Sequence, residues 1–279
     1  MQLDFTKMQS LGNDFVVLDG VSRRMPISAD VVRLLADRHF GVGCDQILLA
    51  EKGQAADFRF RIFNRDGSEV EQCGNGARCF ARFLRDNGLT DQDIISVETM
   101  GTRMQLRILD DGDVSVDMGL PEFLPERIPF QADMPAERYQ LAVGGEVLDA
   151  SVLALGNPHA VILVDDVDDA PVDRLGPLIE HHPRFPSRVN AGFCEIVSRD
   201  RIRLRVHERG VGETLGCGSG ACAAVVAGIR LGLLDPDVSV RLPGGQARVR
   251  WEGPGNPVHL IGSASTVFTG VIAIPVEHD

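Results

Sequence analysis

The feature that most restricts how this chain can fold is that it matches itself. A single gapless shift of 144 residues lays Leu11-Gly12-Asn13 on Leu155-Gly156-Asn157, and Phe58-Arg59-Phe60-Arg61-Ile62 on Ile202-Arg203-Leu204-Arg205-Val206. The same shift puts Asn64-Arg65 on Glu208-Arg209, Glu69 on Glu213, Gly101 on Gly245, and Cys73-Gly74-Asn75-Gly76-Ala77 on Cys217-Gly218-Ser219-Gly220-Ala221. The Gly101/Gly245 match alone is what chance provides. A Cys-Gly-x-Gly-Ala element repeated within the same order of flanking residues is not. A repeat decides architecture before any local pattern does, and this one predicts two homologous domains built on one plan. With 279 residues, of which 44% are hydrophobic and 24% charged, the chain can fill two cores.

Local patterns supply the elements. Residues 58–63 and 202–207 alternate apolar and polar side chains, as do 104–108, 114–118 and 248–251, the mark of half-buried strands. Helices are predicted over 29–38 with Ser28 as cap, over 78–87 ended by Gly88, and over 221–231 followed by Gly232. The third is apolar nearly all round, so a sheet is expected to wrap it. Pro121, Pro125, Pro129 and Pro135 break any period over 119–135, the expected crossover between domains. Residues 263–279 contain a strand-like run that could return to the first domain. The expectation is an α+β fold of two homologous domains, each a mostly antiparallel sheet wrapped around a central helix, related by a pseudo-two-fold axis. The N-terminal domain would comprise 1–118 with 263–279 and carry Cys73; the C-terminal domain would comprise 119–262 and carry Cys217.

Composition narrows the function. A net charge of −12 repels phosphate backbones, so no nucleic-acid partner is expected. The first residues lack a basic segment leading into an apolar run, and the longest apolar stretch, near 221–229, is too short for a bilayer. Neither secretion nor membrane insertion is expected. Six cysteines in a chain of this length do not read as a disulfide scaffold, which points to a reducing, cytoplasmic setting. Of the 28 basic side chains only Lys7 and Lys52 are lysines, and neither has the context of a Schiff-base lysine for pyridoxal phosphate. Cys73/Cys79 and Cys217/Cys222 are not spaced as metal-binding pairs, and His181-His182 reads as a surface loop, so neither metal nor other cofactor is expected. Cys44, Cys79, Cys194 and Cys222 read as small buried hydrophobes. Arg59, Arg61, Arg203 and Arg205 read as solvated strand faces, and Arg209 could pair with Glu213.

The duplicated Cys-Gly-x-Gly element has chemistry of its own. Each copy leads into a helix, whose first amides have no intrahelical acceptor and bind anions such as carboxylates. The cysteine beside them feels the positive end of the helix dipole, which favours thiolate. Two such units facing one ligand could hold its carboxylate and flank its α-carbon with thiols on opposite sides. One thiolate would remove the α-proton and the other thiol would protonate the far face, inverting the centre.

The stretches Gly12-Asn13-Asp14-Phe15, Gly43-Cys44-Asp45-Gln46, Phe63-Asn64-Arg65-Asp66-Gly67-Ser68, Cys73-Gly74-Asn75-Gly76-Ala77-Arg78-Cys79, Gly156-Asn157-Pro158-His159, Asn190, Glu208-Arg209-Gly210 and Gly216-Cys217-Gly218-Ser219-Gly220-Ala221-Cys222 resemble, in order, those of the diaminopimelate epimerases. The resemblance spans nearly the whole chain. It implies the diaminopimelate epimerase-like fold and pyridoxal-independent conversion of LL- to meso-2,6-diaminopimelate in lysine and peptidoglycan precursor synthesis. By resemblance, Cys73 and Cys217 are the acid/base pair. Gly74, Asn75, Gly218 and Ser219 bind the reacting carboxylate, and His159 and Glu208 adjust the thiols. Asn13, Gln46, Asn64, Asn157, Asn190, Glu208 and Arg209 bind the ammonium groups and distal carboxylate. A homodimer with Phe268 at its contact is likewise implied. The alternatives are a proline-type racemase on the same architecture, and a non-catalytic redox or metal-binding protein.

Overall fold

The computed structural model describes residues 2–25 and 27–274; positions 275–279 of the expected N-terminal domain lie outside the described residues. The chain divides into two compact units, one running to Val116 and resuming at Gly262, the other spanning Asp117–Ile261.

In the first unit β1 (Gln2–Ser10) and β2 (Asn13–Asp19) form a hairpin. Its two-residue turn, Leu11 at φ 55° and Gly12 at φ 78°, has the left-handed pair that matches strand twist. Helix α1 (Ala29–Ala36), with the Ser28 side chain accepting the Val31 amide, carries the chain over to β3 (Gln46–Lys52), parallel to β2. Val32, Leu35 and Ala36 of α1 bury against Val16, Leu18, Ile47 and Leu49. Then follow β4 (Phe58–Asn64), antiparallel to β3, the short β5 (Glu69–Val70) and α2 (Gly74–Asp86). β6 (Ile94–Glu98) returns parallel to β4, and β7 (Arg103–Ile108) and β8 (Val114–Asp117) continue antiparallel.

The second unit repeats the plan. β9 (Tyr139–Val143), β10 (Glu146–Ala154) and β11 (Pro158–Val164) are antiparallel neighbours, and α3 (Val172–Glu180) crosses to β12 (Asn190–Ser198), parallel to β11. β13 (Arg201–Glu208) and β14 (Gly212–Thr214) lead into α4 (Gly218–Arg230). β15 (Asp237–Leu242) then lies parallel to β13, followed by β16 (Gly245–Arg250) and β17 (His259–Gly262). The last strand, β18 (Ser265–Ala273), runs antiparallel to β1 in the first unit. Most pairs are antiparallel; the parallel ones occur only where a helix supplies the crossover that parallel strands need.

Both central helices start earlier than the side-chain periodicity indicates, at Gly74 and Gly218 rather than 78 and 221. The Cys-Gly-x-Gly segment itself forms the first turn, and glycine's poor helix propensity conceals it. Helix α3 has no counterpart in the sequence reading because Gly176 and Pro177 interrupt it. It is nevertheless the repeat mate of α1. Segment 119–135 is more than a crossover: Ile128 and Phe130 enter the core of the second unit, where Phe130 stacks on Phe185. No described helix is long and apolar enough to cross a membrane.

Candidate active site

Cys73 is the N-cap of α2. Its backbone is extended (φ −150°, ψ 107°), and its sulfur accepts the Gly76 amide at 3.3 Å. The second glycine of the motif stands where a side chain would crowd the sulfur, more so in the second unit. A Cβ at Gly76 would lie 3.4 Å from Cys73 Sγ and 3.3 Å from Leu48, and one at Gly220 would lie 3.1 Å from both Cys217 Sγ and Val206. Each sulfur folds back over its helix start because nothing projects there.

The predicted amides of the first unit are bonded to partners within it. Asn13, placed by the β1–β2 turn, presents Oδ1 at 3.9 Å from Cys73 Sγ and donates through Nδ2 to Asp45 Oδ2 at 2.9 Å. Gln46 and Asn64 face each other across β3 and β4, with Gln46 Nε2 donating to Asn64 Oδ1 at 3.0 Å, and Asn64 Nδ2 donating on to Ser68. The Asn75 side chain is buried, its Oδ1 accepting Arg78 Nη2 at 2.7 Å. Arg78, fully enclosed, also donates to Ser10 Oγ. The Asn75 side chain is therefore committed to the core.

Cys217 caps α4 in the second unit and is buried, with Ser219 Oγ 3.7 Å from its sulfur. Burial first, and the Glu208 carboxylate second, push this thiol well above its ordinary range; the Gly220 amide and Ser219 pull more weakly the other way. The helix dipole was expected to favour thiolate at both positions. At Cys217 burial and a facing carboxylate outweigh it, and the proton stays on sulfur. Glu208 is in turn held by Thr214 Oγ1 at 2.5 Å.

The remaining predicted residues of this unit form a brace. Buried Asn190 accepts the Arg209 amide at 2.8 Å and donates to the Pro158 carbonyl at 3.1 Å. Arg209 Nη1 donates to the Ser187 carbonyl. His159 is buried with Nε2 2.9 Å from Asn157 Oδ1, and burial, helped by the Arg209 charge, lowers its imidazole to about 3. His159 is therefore neutral, with Nε2 as donor and Nδ1 left as acceptor. Phe268 lies on β18, half exposed and edge-on to Phe5.

Two features escaped the sequence reading. Arg61 and Arg205 are not solvated strand faces: each makes a two-pronged ion pair, Arg61 with Glu69 and Arg205 with Glu213. Glu213 is thus held by Arg205 rather than Arg209. Arg203 likewise pairs with Glu195 and Asp168, while Arg59 stays at the surface, 4.0 Å from Glu51. The signal was present in the repeat, which carries Arg61 and Glu69 onto Arg205 and Glu213 together. The second feature is buried Glu180 of α3, which accepts from His207 Nε2 at 2.9 Å, the Gly210 amide at 2.8 Å and Arg188 at 3.2 Å, clamping the turn that carries Glu208 and Arg209. Cys44, Cys79, Cys194 and Cys222 are fully buried, and burial raises each of the first three; Cys44 and Cys194 reach about 12.

Two units, each with a cysteine capping its central helix, define a known class of fold. A phenazine biosynthesis protein of the PhzF family from Bacillus anthracis superposes with a TM-score of 0.70 at 17% identity, covering 98% of this chain and 100% of that one. A hydroxyproline epimerase from Agrobacterium vitis gives 0.70 at 16%, covering 99% and 94%. Within that class the sequence is more specific. The family model described as diaminopimelate epimerase matches residues 5–124 and 151–267. The diaminopimelate epimerases of Laribacter hongkongensis and Thioalkalivibrio sulfidiphilus are 59% and 57% identical over 278 residues, 98% of this chain and 100% of theirs. The chain belongs to the diaminopimelate epimerase family.

Proposed function

We propose that this protein interconverts LL- and meso-2,6-diaminopimelate by proton transfer between the substrate α-carbon and the thiols of Cys73 and Cys217, without pyridoxal phosphate, in the cytoplasm. The observation that carries the mechanism is the duplicated N-cap cysteine: each unit sets one sulfur beside the amides of a helix start. In one direction a thiolate at one cysteine takes the α-proton and becomes thiol, the electron pair moves into the carboxylate as an enediolate, and the opposite thiol protonates the other face. The helix-start amides of Gly74, Asn75, Gly218 and Ser219 hold that carboxylate and stabilise its added charge, the kind of preoriented donor set that dominates such catalysis.

The two sulfurs differ, which suits a reaction needing one acid and one base. Cys217, buried against Glu208, keeps its proton and is the ready acid. Cys73 is less buried and receives the Gly76 amide, and is assigned the base role in that direction. Turnover in the opposite direction exchanges the roles. Arg209, its backbone fixed by Asn190, is the cation for the distal carboxylate, and the Asn13, Gln46, Asn64 and Asn157 amides with Glu208 complete the pocket for the ammonium groups. His159, being neutral, contributes through Nδ1 as an acceptor. The exposed apolar side chains of β18, Phe268 among them, are the contact surface of a homodimer.

The test is interconversion by Cys73→Ala and Cys217→Ala proteins. Each is expected to fold and to lose about 10²- to 10⁴-fold in kcat, the usual worth of a positioned acid or base. Near-normal interconversion of both isomers by either variant contradicts the assignment.

A further inference from the structure

Asp45 belongs to the Gly43-Cys44-Asp45-Gln46 stretch, and no step of the reaction uses its side chain. Its surroundings give it a task. Oδ2 accepts Asn13 Nδ2 at 2.9 Å and the Asp14 amide at 3.3 Å, and Oδ1 accepts Arg38 Nη2 at 2.9 Å. Asp14 braces it in return, accepting the Asp45 amide on Oδ1 at 3.0 Å while Arg38 and Lys7 hold its carboxylate. Burial acts to raise Asp14, and these two cations overcome it and bring it down to about 2. Lys7 also donates to the Gly43 carbonyl, tying the loop itself into the network.

An asparagine amide has an accepting end and a donating end of nearly equal size, so its orientation is set by its partners. An ionised carboxylate has no hydrogen to give. Asn13 can therefore meet Asp45 only through Nδ2, and this turns Oδ1 toward Cys73 Sγ, 3.9 Å away. We propose that Asp45 is a positioning residue for Cys73, acting through Asn13: it fixes the amide so that oxygen, not NH₂, faces the sulfur. The sulfur then has an acceptor on one side and the Gly76 amide, a donor, on another. The thiol and the thiolate each have a suitable partner, which suits a residue that alternates between them. The proposal rests on the reading of Cys73 as an acid/base group. It is particular to the first unit, because the repeat mate of Asp45 is Val189 and Cys217 faces the Glu208 carboxylate instead.

The experiment follows the rate of iodoacetamide alkylation of Cys73 against pH in the Cys217→Ala protein, where the other four thiols are fully buried. Asp14, Lys7 and Arg38 flank Asp45, and Arg78 and Cys79 lie on the helix behind Cys73; all stay constant. Asp45→Asn can present either end of its own amide, which releases Asn13 to turn NH₂ to the sulfur. The midpoint is expected to fall by about one pH unit, the scale of one hydrogen bond gained by the charged form. Asp45→Ser, whose hydroxyl also donates or accepts, is expected to do the same and serves should the asparagine variant not fold. Asp45→Glu, still acceptor-only, is expected to retain the parental midpoint. An unchanged midpoint in the folded asparagine or serine variant overturns the proposal. Failure of the functional reading shows separately, as diaminopimelate interconversion by Cys73→Ala, and does not depend on the alkylation result.

Discussion

At the scale of single residues, the site is built by committing polar atoms so that few orientations remain. His159 shows the cost. Burial holds its imidazole at about 3, whereas the unfolded chain protonates it near 6.5. Between these values the unfolded chain binds the extra proton, so stability falls as pH drops from about 6.5 toward 3, by up to about 1.4 kcal/mol per pH unit from this group. Urea midpoints at pH 7 and pH 5 measure it, and His159→Gln is expected to flatten that part of the profile; an unaltered slope contradicts it. Asp14 acts at lower pH. Its folded value is depressed to about 2, so the stability that Lys7 and Arg38 give it is complete above its unfolded value near 4 and lost as pH falls from there through about 2. Among these residues, the cysteines, Asn13, Asn157 and Arg209 are the ones that the repeat and the resemblance single out. The buried commitments of Asn75 and Asn190 were not, since a side chain's partners depend on neighbours far away in sequence: Asn190 bonds to Pro158, 32 residues off.

At the scale of elements, each helix start is shaped by its sulfur. Gly220→Ala would press a Cβ against Cys217 Sγ and Val206 and is expected to cost about 1–3 kcal/mol, the range for overpacking a tight core. Gly76→Ala, with looser neighbours, is expected to cost less, and thermal denaturation of the two variants gives the order. A larger loss for Gly76→Ala contradicts the reading. Helix α3 illustrates the limit of local pattern. Gly176 is obligatory because a Cβ there would come within 2.6 Å of His207, and this close approach lets Glu180 reach His207 and Gly210. The residues that adapt α3 to this task are the ones that hide it as a helix. Projecting α1 through the repeat would have found it. Removing the clamp with Glu180→Ala is expected to destabilise by about 1–3 kcal/mol, the scale of leaving buried donors without their acceptor, and to raise KM for diaminopimelate more than it lowers kcat, since the Arg209 turn loosens while both thiols stay in place. Steady-state kinetics checks the split; a fall in kcat alone contradicts it.

Over the whole molecule, duplication accounts for most of what the sequence reveals. It conveys two units with matched strands, helices and cysteines, because each copy must satisfy the same backbone plan. Divergence between the copies accounts for what it withholds. Arg78 is buried in α2 where α4 has Cys222, and Asp45 supports Cys73 where the second unit has Val189. Such differences give the two cysteines unlike surroundings, on which the proposed division into one base and one acid rests. The most direct measurement of that division of labour is the early course of the reaction of LL-diaminopimelate in deuterated water, with both isomers separated and their isotope content read. Two thiols acting on opposite faces predict that the first meso product carries solvent deuterium at the inverted carbon, while recovered LL-diaminopimelate still carries hydrogen. Equal labelling of both isomers from the outset, or product that retains the original hydrogen, would mean that one group serves both faces and would contradict the two-thiol account.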